Sequence, residues 1–260
     1  MEDSRYNLAC RLVRQAARLL PACGSENIDF QQKTGHSDIV SHYDKLVETY
    51  LAENIAAAFP EDGMVGEEMP HPRDGAWIWY IDPIDGTTNF VNQQKNYAIS
   101  VGCYHCGEPA FGIVLDVAEN KLYHAKHGEG AYCNGARLSG SSRTAVEEMI
   151  LYTPIIQSTL IDDHPLRAGM RRLAQDVRAV RSLGSVALEL CALAAGEADL
   201  FLAARSCPWD HNAARIILAE TGGALCTWEA ERLPVDCSAS IIAAGKRETL
   251  ERILALYLTE

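Results

Sequence analysis

A strand-like run that ends in two carboxylates constrains this chain more than any other stretch. Trp77-Ile78-Trp79-Tyr80-Ile81 is apolar and aromatic, and Asp82-Pro83-Ile84-Asp85-Gly86-Thr87-Thr88-Asn89-Phe90 follows it directly. The run reads as a buried strand. Pro83 fixes the backbone between the two acids and predicts the strand's end. Gly86 predicts a turn, and Thr87, Thr88 and Asn89 suit the start of a helix. Two acids at a strand's end therefore face the first amides of a helix. Carboxylates gather Mg²⁺ and helix-start amides gather phosphate, so the pattern points to phosphate ester chemistry. A polar turn with a capping acid has the same composition, since Asp-Gly is an ordinary turn pair.

Two rival motifs fail on spacing. A calcium EF-hand beginning at Asp82 needs Glu at its twelfth position, where Gln93 stands. The aspartyl-phosphate phosphatases of the haloacid dehalogenase type use Asp-x-Asp after a strand. The Asp-x-x-Asp found here suits two metal ions better than a nucleophile and its acid.

Asp82-Pro83-Ile84-Asp85-Gly86-Thr87-Thr88-Asn89-Phe90 resembles the first signature of the inositol monophosphatase family. Pro208-Trp209-Asp210-His211-Asn212-Ala213-Ala214, followed by Glu220-Thr221-Gly222-Gly223, resembles the second. The two stand in the family's order, and the resemblance covers nearly the whole chain. It implies the five-layer α-β-α-β-α sugar-phosphatase fold, a layered α/β class. On that pattern residues 1–260 form one domain. Its halves meet near residue 145: a helix pair with an antiparallel meander over 1–145, and an α/β half over 146–260.

Composition narrows the function classes. The 260 residues are 48% hydrophobic, ample for a core, and carry a formal net charge of -12. That balance disfavours nucleic acid, which needs a cationic face. The chain start shows no apolar signal segment, and no run is long enough to span a membrane. Nine Cys, an odd number scattered along the chain, read as reduced thiols in the cytoplasm. Cys103-Tyr104-His105-Cys106 lies at the end of a strand-like run with no second Cys pair at zinc-ribbon spacing, so ordinary thiols are expected.

Periodicity outlines the rest. Residues 4–20 predict a helix ended by Pro21, and Lys45–Phe59 a second with Asp44 at its N-cap. Strands are expected over Tyr97–Tyr104, Ala110–Asp116, Lys121–Ala125 and Ala131–Leu138, as an antiparallel meander. Gly128-Glu129-Gly130 is a turn rather than a dinucleotide fingerprint, and His124 and His127 read as surface residues. Beyond it, strands at Met149–Tyr152, Val177–Val180, Asp199–Ala203 and Ser240–Ala244 alternate with helices at Arg167–Gln175, Ser185–Ala195, Asp210–Thr221 and Lys246–Leu258. Such alternation indicates layered α/β.

The resemblance also implies a site, residue by residue. One Mg²⁺ is held by Glu67, from Gly66-Glu67-Glu68, with Asp82 and the carbonyl of Ile84. A second is held by Asp82, Asp85 and Asp210, and a third, weaker ion leans on Glu67 through water. Thr87, oriented by Asp44, positions the attacking water or accepts its proton. The amides of Gly86 and Thr87 hold the phosphate, with Asp85 and the Gly184-Ser185-Val186 segment against the leaving group. Lys33 matches a family lysine near the outer metal water, and a solvated surface Lys fits equally well. Asp210 taken alone reads as an N-cap. Many inositol-preferring members carry Glu at the place of Ala203, where it reaches ring hydroxyls. Arg205 either binds a second anionic group of the substrate or is plain surface.

The resulting expectation is a Mg²⁺-dependent hydrolase of small phosphate monoesters, foremost inositol monophosphate, lithium-sensitive, cytoplasmic and homodimeric. Phosphatases of fructose 1,6-bisphosphate, histidinol phosphate, 3'(2'),5'-bisphosphate nucleotides or NADP are the alternatives. A regulatory role on the transcription machinery, known among relatives, is the non-enzymatic one. The full set Glu67, Asp82, Asp85, Thr87 and Asp210 argues against it, since a binder need not keep them.

Overall fold

The computed structural model describes residues 2–21, 28–35, 38–154 and 165–258. The first part comprises α1 (Glu2–Ala16), the hairpin β1 (Phe30–Gly35) and β2 (Asp38–Ser41), and α2 (His42–Ala58). Then come β3 (Gly63–Gly66), β4 (Trp77–Asp85), α3 (Thr87–Gln93), β5 (Ala98–His105), β6 (Glu108–Asp116), β7 (Lys121–Lys126), β8 (Gly130–Cys133) and β9 (Ala136–Arg137). The second part comprises β10 (Ile150–Tyr152), α4 (Arg167–Asp176), β11 (Ala179–Arg181), α5 (Val186–Ala195), β12 (Leu200–Ser206), α6 (Pro208–Ala219), β13 (Ala224–Cys226), β14 (Ala239–Ala244) and α7 (Arg247–Tyr257).

Strands β3 to β9 form a seven-stranded sheet in chain order. Strand β3 runs parallel to β4 and the rest is the antiparallel meander. The second sheet has the order β11-β10-β12-β14-β13. Alternation along each strand sets the layers, because successive side chains point to opposite faces. Trp79 and Ile81 of β4 pack with Leu12 of α1 and Leu51 and Ile55 of α2. Tyr80, between them, faces the cluster of Leu190 of α5 and Ala213 and Ile217 of α6. On β12, Phe201 and Ala203 face that same central cluster, while Leu200 and Leu202 pack with Leu173 of α4 and Ile253 of α7. The result is helix, sheet, helix, sheet, helix: five layers. Helix α5 is buried from Ala187 to Ala194, as a helix between two sheets must be. Among the described residues no helix is long and apolar enough to cross a membrane.

One close approach aims the site. Gly102 and Gly112 are cross-strand partners in β5 and β6. A Cβ at Gly112 would lie 2.1 Å from the carbonyl oxygen of Ala213, and one at Gly102 2.9 Å from the amide of Ala213. Two bare glycines thus let α6 press its backbone onto the sheet beside β4.

Several local expectations change. Strand β4 does not stop at Pro83 but runs to Asp85, because the register with β5 shifts between Asp82 and Asp85. A bulge tolerates a residue without an N–H, since no ladder bond is asked of it there. Ser41, not Asp44, is the N-cap of α2, and Cys207, not Asp210, is the N-cap of α6. Both acids sit three residues on and reach back to the cap amide, as the last partner of a capping box does. The run Ala131–Leu138 splits at Asn134 and Gly135, both at positive φ (48 and 84), the signature of a two-residue hairpin turn. His124 is half-buried rather than freely exposed. Its Nδ1 lies 2.7 Å from the Tyr6 hydroxyl, its ring stacks on Tyr132, and burial lowers its pKa. Cys103 and Cys106 are free thiols.

Candidate active site

The bulge of β4 supplies two carboxylates, Asp82 and Asp85, and the loop after β3 and the first turn of α6 supply one each, Glu67 and Asp210. Asp82 accepts a hydrogen bond from the Ile84 amide at 3.0 Å. Asp85 reaches into the second part of the chain, where it accepts from Ser185 Oγ at 2.7 Å and from the Ala187 amide at 2.6 Å. A carboxylate on the first amides of α5 is favoured by the helix dipole, and it ties the two sheets together at the site. Asp210 accepts from the Cys207 amide at 2.7 Å and from Ser206 Oγ at 3.3 Å. Glu67 accepts from Lys33 Nζ at 2.8 Å, and Glu68 shares that ammonium.

Around them stand the polar groups expected from sequence. Thr87 Oγ1 lies 3.1 Å from Asp44 Oδ1 and 3.1 Å from the Ile84 carbonyl oxygen. Asp44 is buried, and its other oxygen accepts from the amide and hydroxyl of Ser41 at 2.8 and 2.7 Å. Gly86 caps α3 with φ at 96, and a Cβ there would meet the Gly184 carbonyl oxygen at 3.1 Å. Only glycine permits that turn against the Gly184 segment. The hydroxyl of Ser185 gives its one proton to Asp85 and accepts the Leu188 amide at 3.3 Å, so it is already engaged.

The electrostatics describe a site short of positive charge. Burial is the first cause that raises every one of the four acids. Asp82 is pushed well above the carboxylate range by burial and then by Glu67, Asp85 and Asp210. Asp210 rises to about 8, Glu67 to about 7 and Asp85 to about 6. Lys33 is the ammonium at hand, and it lies to one side on Glu67 and Glu68. Among the described residues no three His, Cys, Asp or Glu side chains close around a single point in the way a formed metal cage does. Asp82, Asp210 and Glu67 instead each spend one oxygen on protein donors, while Asp85 spends both, its Oδ1 accepting from the Val186 amide at 3.3 Å. Asp82 Oδ2, Asp210 Oδ1 and Glu67 Oε2 have no hydrogen bond to any described residue. An all-oxygen donor set, crowded with negative charge and with free oxygens, fits a hard dication that keeps several waters.

Two residues that hold this arrangement escaped the sequence reading. Glu48 of α2 is 0% exposed and accepts from the amides of Glu68 and Met69 at 2.8 and 2.9 Å, with His71 Nε2 at 2.8 Å. It fixes the loop that carries Glu67, and the backbone at Gly66 presses so close that a Cβ there would lie 2.4 Å from Glu48 Oε1. Glu189 of α5 does the same for the other side, accepting from the Leu183 amide at 2.6 Å, and burial raises its pKa to about 7. A partial signal existed for Glu189, which follows the helix-starting Ser185 by four residues, one more than a capping box needs. Nothing local marked Glu48. Glu48→Gln replaces an acceptor oxygen with a donor and leaves a buried amide unpaired, so it should destabilise the fold by about 1–3 kcal/mol in urea unfolding. An unchanged midpoint would show that the loop is held by other means.

Two candidates do not join the cluster. Ala203 is 1% exposed and packs among the apolar side chains of the central layer, so it lines no open surface. Arg205 is exposed, two residues further along β12, within the stretch between Ala203 and Ser206 where the register with β14 shifts. Its charge is felt at Cys207, beside Asp210.

The family model of the inositol monophosphatase family matches residues 1–259, a span that includes both signatures. The chain belongs to that family. Among curated family members, an inositol-1-monophosphatase of Bacillus subtilis (strain 168) is 38% identical over 231 residues, 86% of this chain and 85% of that protein. Inositol monophosphatase II of Staphylococcus aureus MSSA476 superposes with a TM-score of 0.86 at 32% identity, covering 98% of this chain and 93% of that one. The structure of an IMPase/NADP phosphatase complexed with Mg²⁺ and phosphate superposes with a TM-score of 0.84 at 25% identity, covering 97% of this chain and 95% of that one.

Proposed function

We propose that this chain is a Mg²⁺-dependent phosphatase of small phosphate monoesters, with inositol monophosphate among its substrates. The observation that carries the reading is the convergence of four acids of raised pKa from both parts of the chain, Asp82 and Asp85 buried and Glu67 and Asp210 half-buried. The likeness to an inositol-1-monophosphatase, and to a relative seen with Mg²⁺ and phosphate, supports it.

In this reading Glu67, Asp82 and the Ile84 carbonyl hold one ion, and Asp82, Asp85 and Asp210 hold another. When bound, Mg²⁺ supplies the positive charge that neutralises the phosphoryl oxygens and the departing alkoxide and acidifies the attacking water. The amides of Gly86 and Thr87 orient the phosphate at the start of α3. Thr87 gives its hydroxyl proton to Asp44, which leaves the lone pairs of Oγ1 to hold the water in line. Asp44 is itself fixed by Ser41, so the threonine is aimed by α2. Lys33, on Glu67 and Glu68, balances the outer carboxylates.

With Ala203 turned into the core and Ser185 without a spare proton, the leaving group meets backbone at Gly184–Val186 rather than a dedicated side chain. A missing charge-assisted hydrogen bond is about ten- to a hundred-fold in selectivity. The exposed Arg205 favours substrates that carry a second anionic group. The test is phosphate release from inositol 1-phosphate, glycerol 2-phosphate, fructose 1,6-bisphosphate and an adenosine monophosphate. All four should be hydrolysed with efficiencies within about tenfold, and Arg205→Ala should weaken the bisphosphate alone, through KM. No release from any ester in Mg²⁺ would sink the reading. A sharp preference for inositol 1-phosphate would mean that some other residue recognises the ring.

A further inference from the structure

We infer that a second ligand site lies at the far end of α6, between that helix, β13 and α7, and that it takes a small anion carrying an apolar body. A cavity of about 400 Å³ opens there. That is within the range of small-molecule sites, roughly 300–1,000 Å³. Its apolar walls are Leu218 of α6, Leu225 of β13, and Leu250 and Leu254 of α7. Three arginines are among the lining residues, Arg215, Arg232 and Arg247, with two acids, Glu108 and Glu251.

The charges do not cancel. Arg232 Nη2 lies 3.8 Å from Glu108 Oε1, so those two answer each other across the rim. Arg215 gives one N–H to the Leu233 carbonyl oxygen at 3.0 Å and has others to give. The guanidinium of Arg247 has no partner among the described residues, and of the two acids lining the cavity Glu251 is left to oppose Arg215 and Arg247. A chain of net charge -12 thus gathers an excess of arginine at the mouth of an apolar cavity. Arginine's planar fork matches a carboxylate, sulfonate or phosphate, and leucine walls match a hydrocarbon or aromatic body. An occupant of that chemistry satisfies both halves of the lining at once.

This site is separate from the acid cluster. Asp210 lies in the first turn of α6, whereas Ala219, also on the cavity wall, is its last residue. At 1.5 Å per residue the nine steps between them span about 13 Å. The inference therefore stands or falls independently of the phosphatase reading.

The probe is 1-anilinonaphthalene-8-sulfonate, an aromatic body with a fixed negative charge, titrated by fluorescence and calorimetry into the full chain. N-phenyl-1-naphthylamine, which lacks the sulfonate, is the neutral control. Arg247→Ala removes an exposed, unpaired cation, and Ala219→Trp fills the cavity from an exposed position. The expected result is one sulfonate bound per chain, about tenfold more weakly in Arg247→Ala and not at all in Ala219→Trp. The neutral control should bind at least tenfold more weakly than the sulfonate, and Asp82→Asn should bind the sulfonate like the wild type. No saturable binding, equal affinity for the neutral control, or affinity unmoved by Arg247→Ala overturns the proposal. The last variant serves even if Ala219→Trp fails to fold, since it changes only a surface side chain.

Discussion

Asp82→Asn should lower kcat/KM for phosphate release by about a thousandfold or more, and at the same time stabilise the metal-free protein. The first effect follows from the assignment of Asp82 to both ions: a mutation that disturbs both cannot be offset by either. The second follows from its surroundings. Asp82 is buried among Glu67, Asp85 and Asp210, and each of these raises its pKa further. Its charge is a liability that only a cation repays, and an amide removes it. The sign of the pH dependence is fixed by the same shifts. Asp85, Glu67 and Asp210 have folded pKa values of about 6, 7 and 8, all above those of the unfolded chain. The folded state therefore binds more protons than the unfolded state between about pH 4 and 8. This contribution to stability is greatest below pH 4 and declines as pH rises through those three values. In EDTA the thermal midpoint should accordingly fall from pH 6 to pH 8, and less steeply in Asp210→Asn. Added Mg²⁺ should raise the midpoint more at pH 8 than at pH 6, and should do so little in Asp82→Asn. A wild-type midpoint in EDTA that climbs from pH 6 to pH 8 would contradict the charge-crowding account.

Thr87→Ala should cost about a hundred- to ten-thousand-fold in kcat with little change in the Mg²⁺ concentration needed, while Thr87→Ser keeps most of the rate. The reason is the division of labour at Oγ1. The hydroxyl has one proton, shared between Asp44 Oδ1 and the Ile84 carbonyl oxygen, each 3.1 Å away. Its lone pairs are left for the water. Alanine removes both functions and touches none of the four carboxylates, whereas serine restores the oxygen and loses only a methyl group. Because the group donates outward to Asp44, Asp44→Ala should lower kcat as well, by letting the hydroxyl turn away. A Thr87→Ala enzyme with near-normal kcat and a raised Mg²⁺ requirement would instead make the threonine part of the metal support. Steady-state kinetics over a Mg²⁺ series separates the two.

What was legible in the sequence was chemistry written in adjacent residues. The apolar run to Ile81, the paired acids, the glycine turn and the threonines lie within fourteen consecutive positions, Trp77 to Phe90. The layered α/β class was legible in the strand–helix alternation of the second half, and the five layers in the resemblance; which face of β4 and β12 meets which core was not, since both strands are continuous apolar runs. Contacts made across the fold left no such trace. Glu48 looks like one more solvent-facing acid on α2, yet its partners are backbone amides twenty residues further along the chain, and amides have no sequence signature. Strands β1 and β2 were hidden because a polar ribbon such as Gln31-Gln32-Lys33 carries no alternation. Pro83 misled for the opposite reason. The rule that proline ends strands assumes regular pairing, and β4 and β5 lose register at that point. Ala203 shows the limit of counting along a strand: the position is right for a ring contact by distance from Asp210, but its side chain turns into the central core.

The most direct measurement of the central claim is phosphate release from inositol 1-phosphate by protein stripped of metal, followed as Mg²⁺ is restored, in the wild type and in Asp82→Asn and Asp210→Asn. The account predicts no turnover in the stripped protein, recovery that saturates with Mg²⁺ in the wild type, and no recovery in Asp82→Asn. Asp210→Asn should recover only in part and at higher Mg²⁺. Turnover that persists without Mg²⁺, or an Asp82→Asn protein that recovers like the wild type, would contradict it.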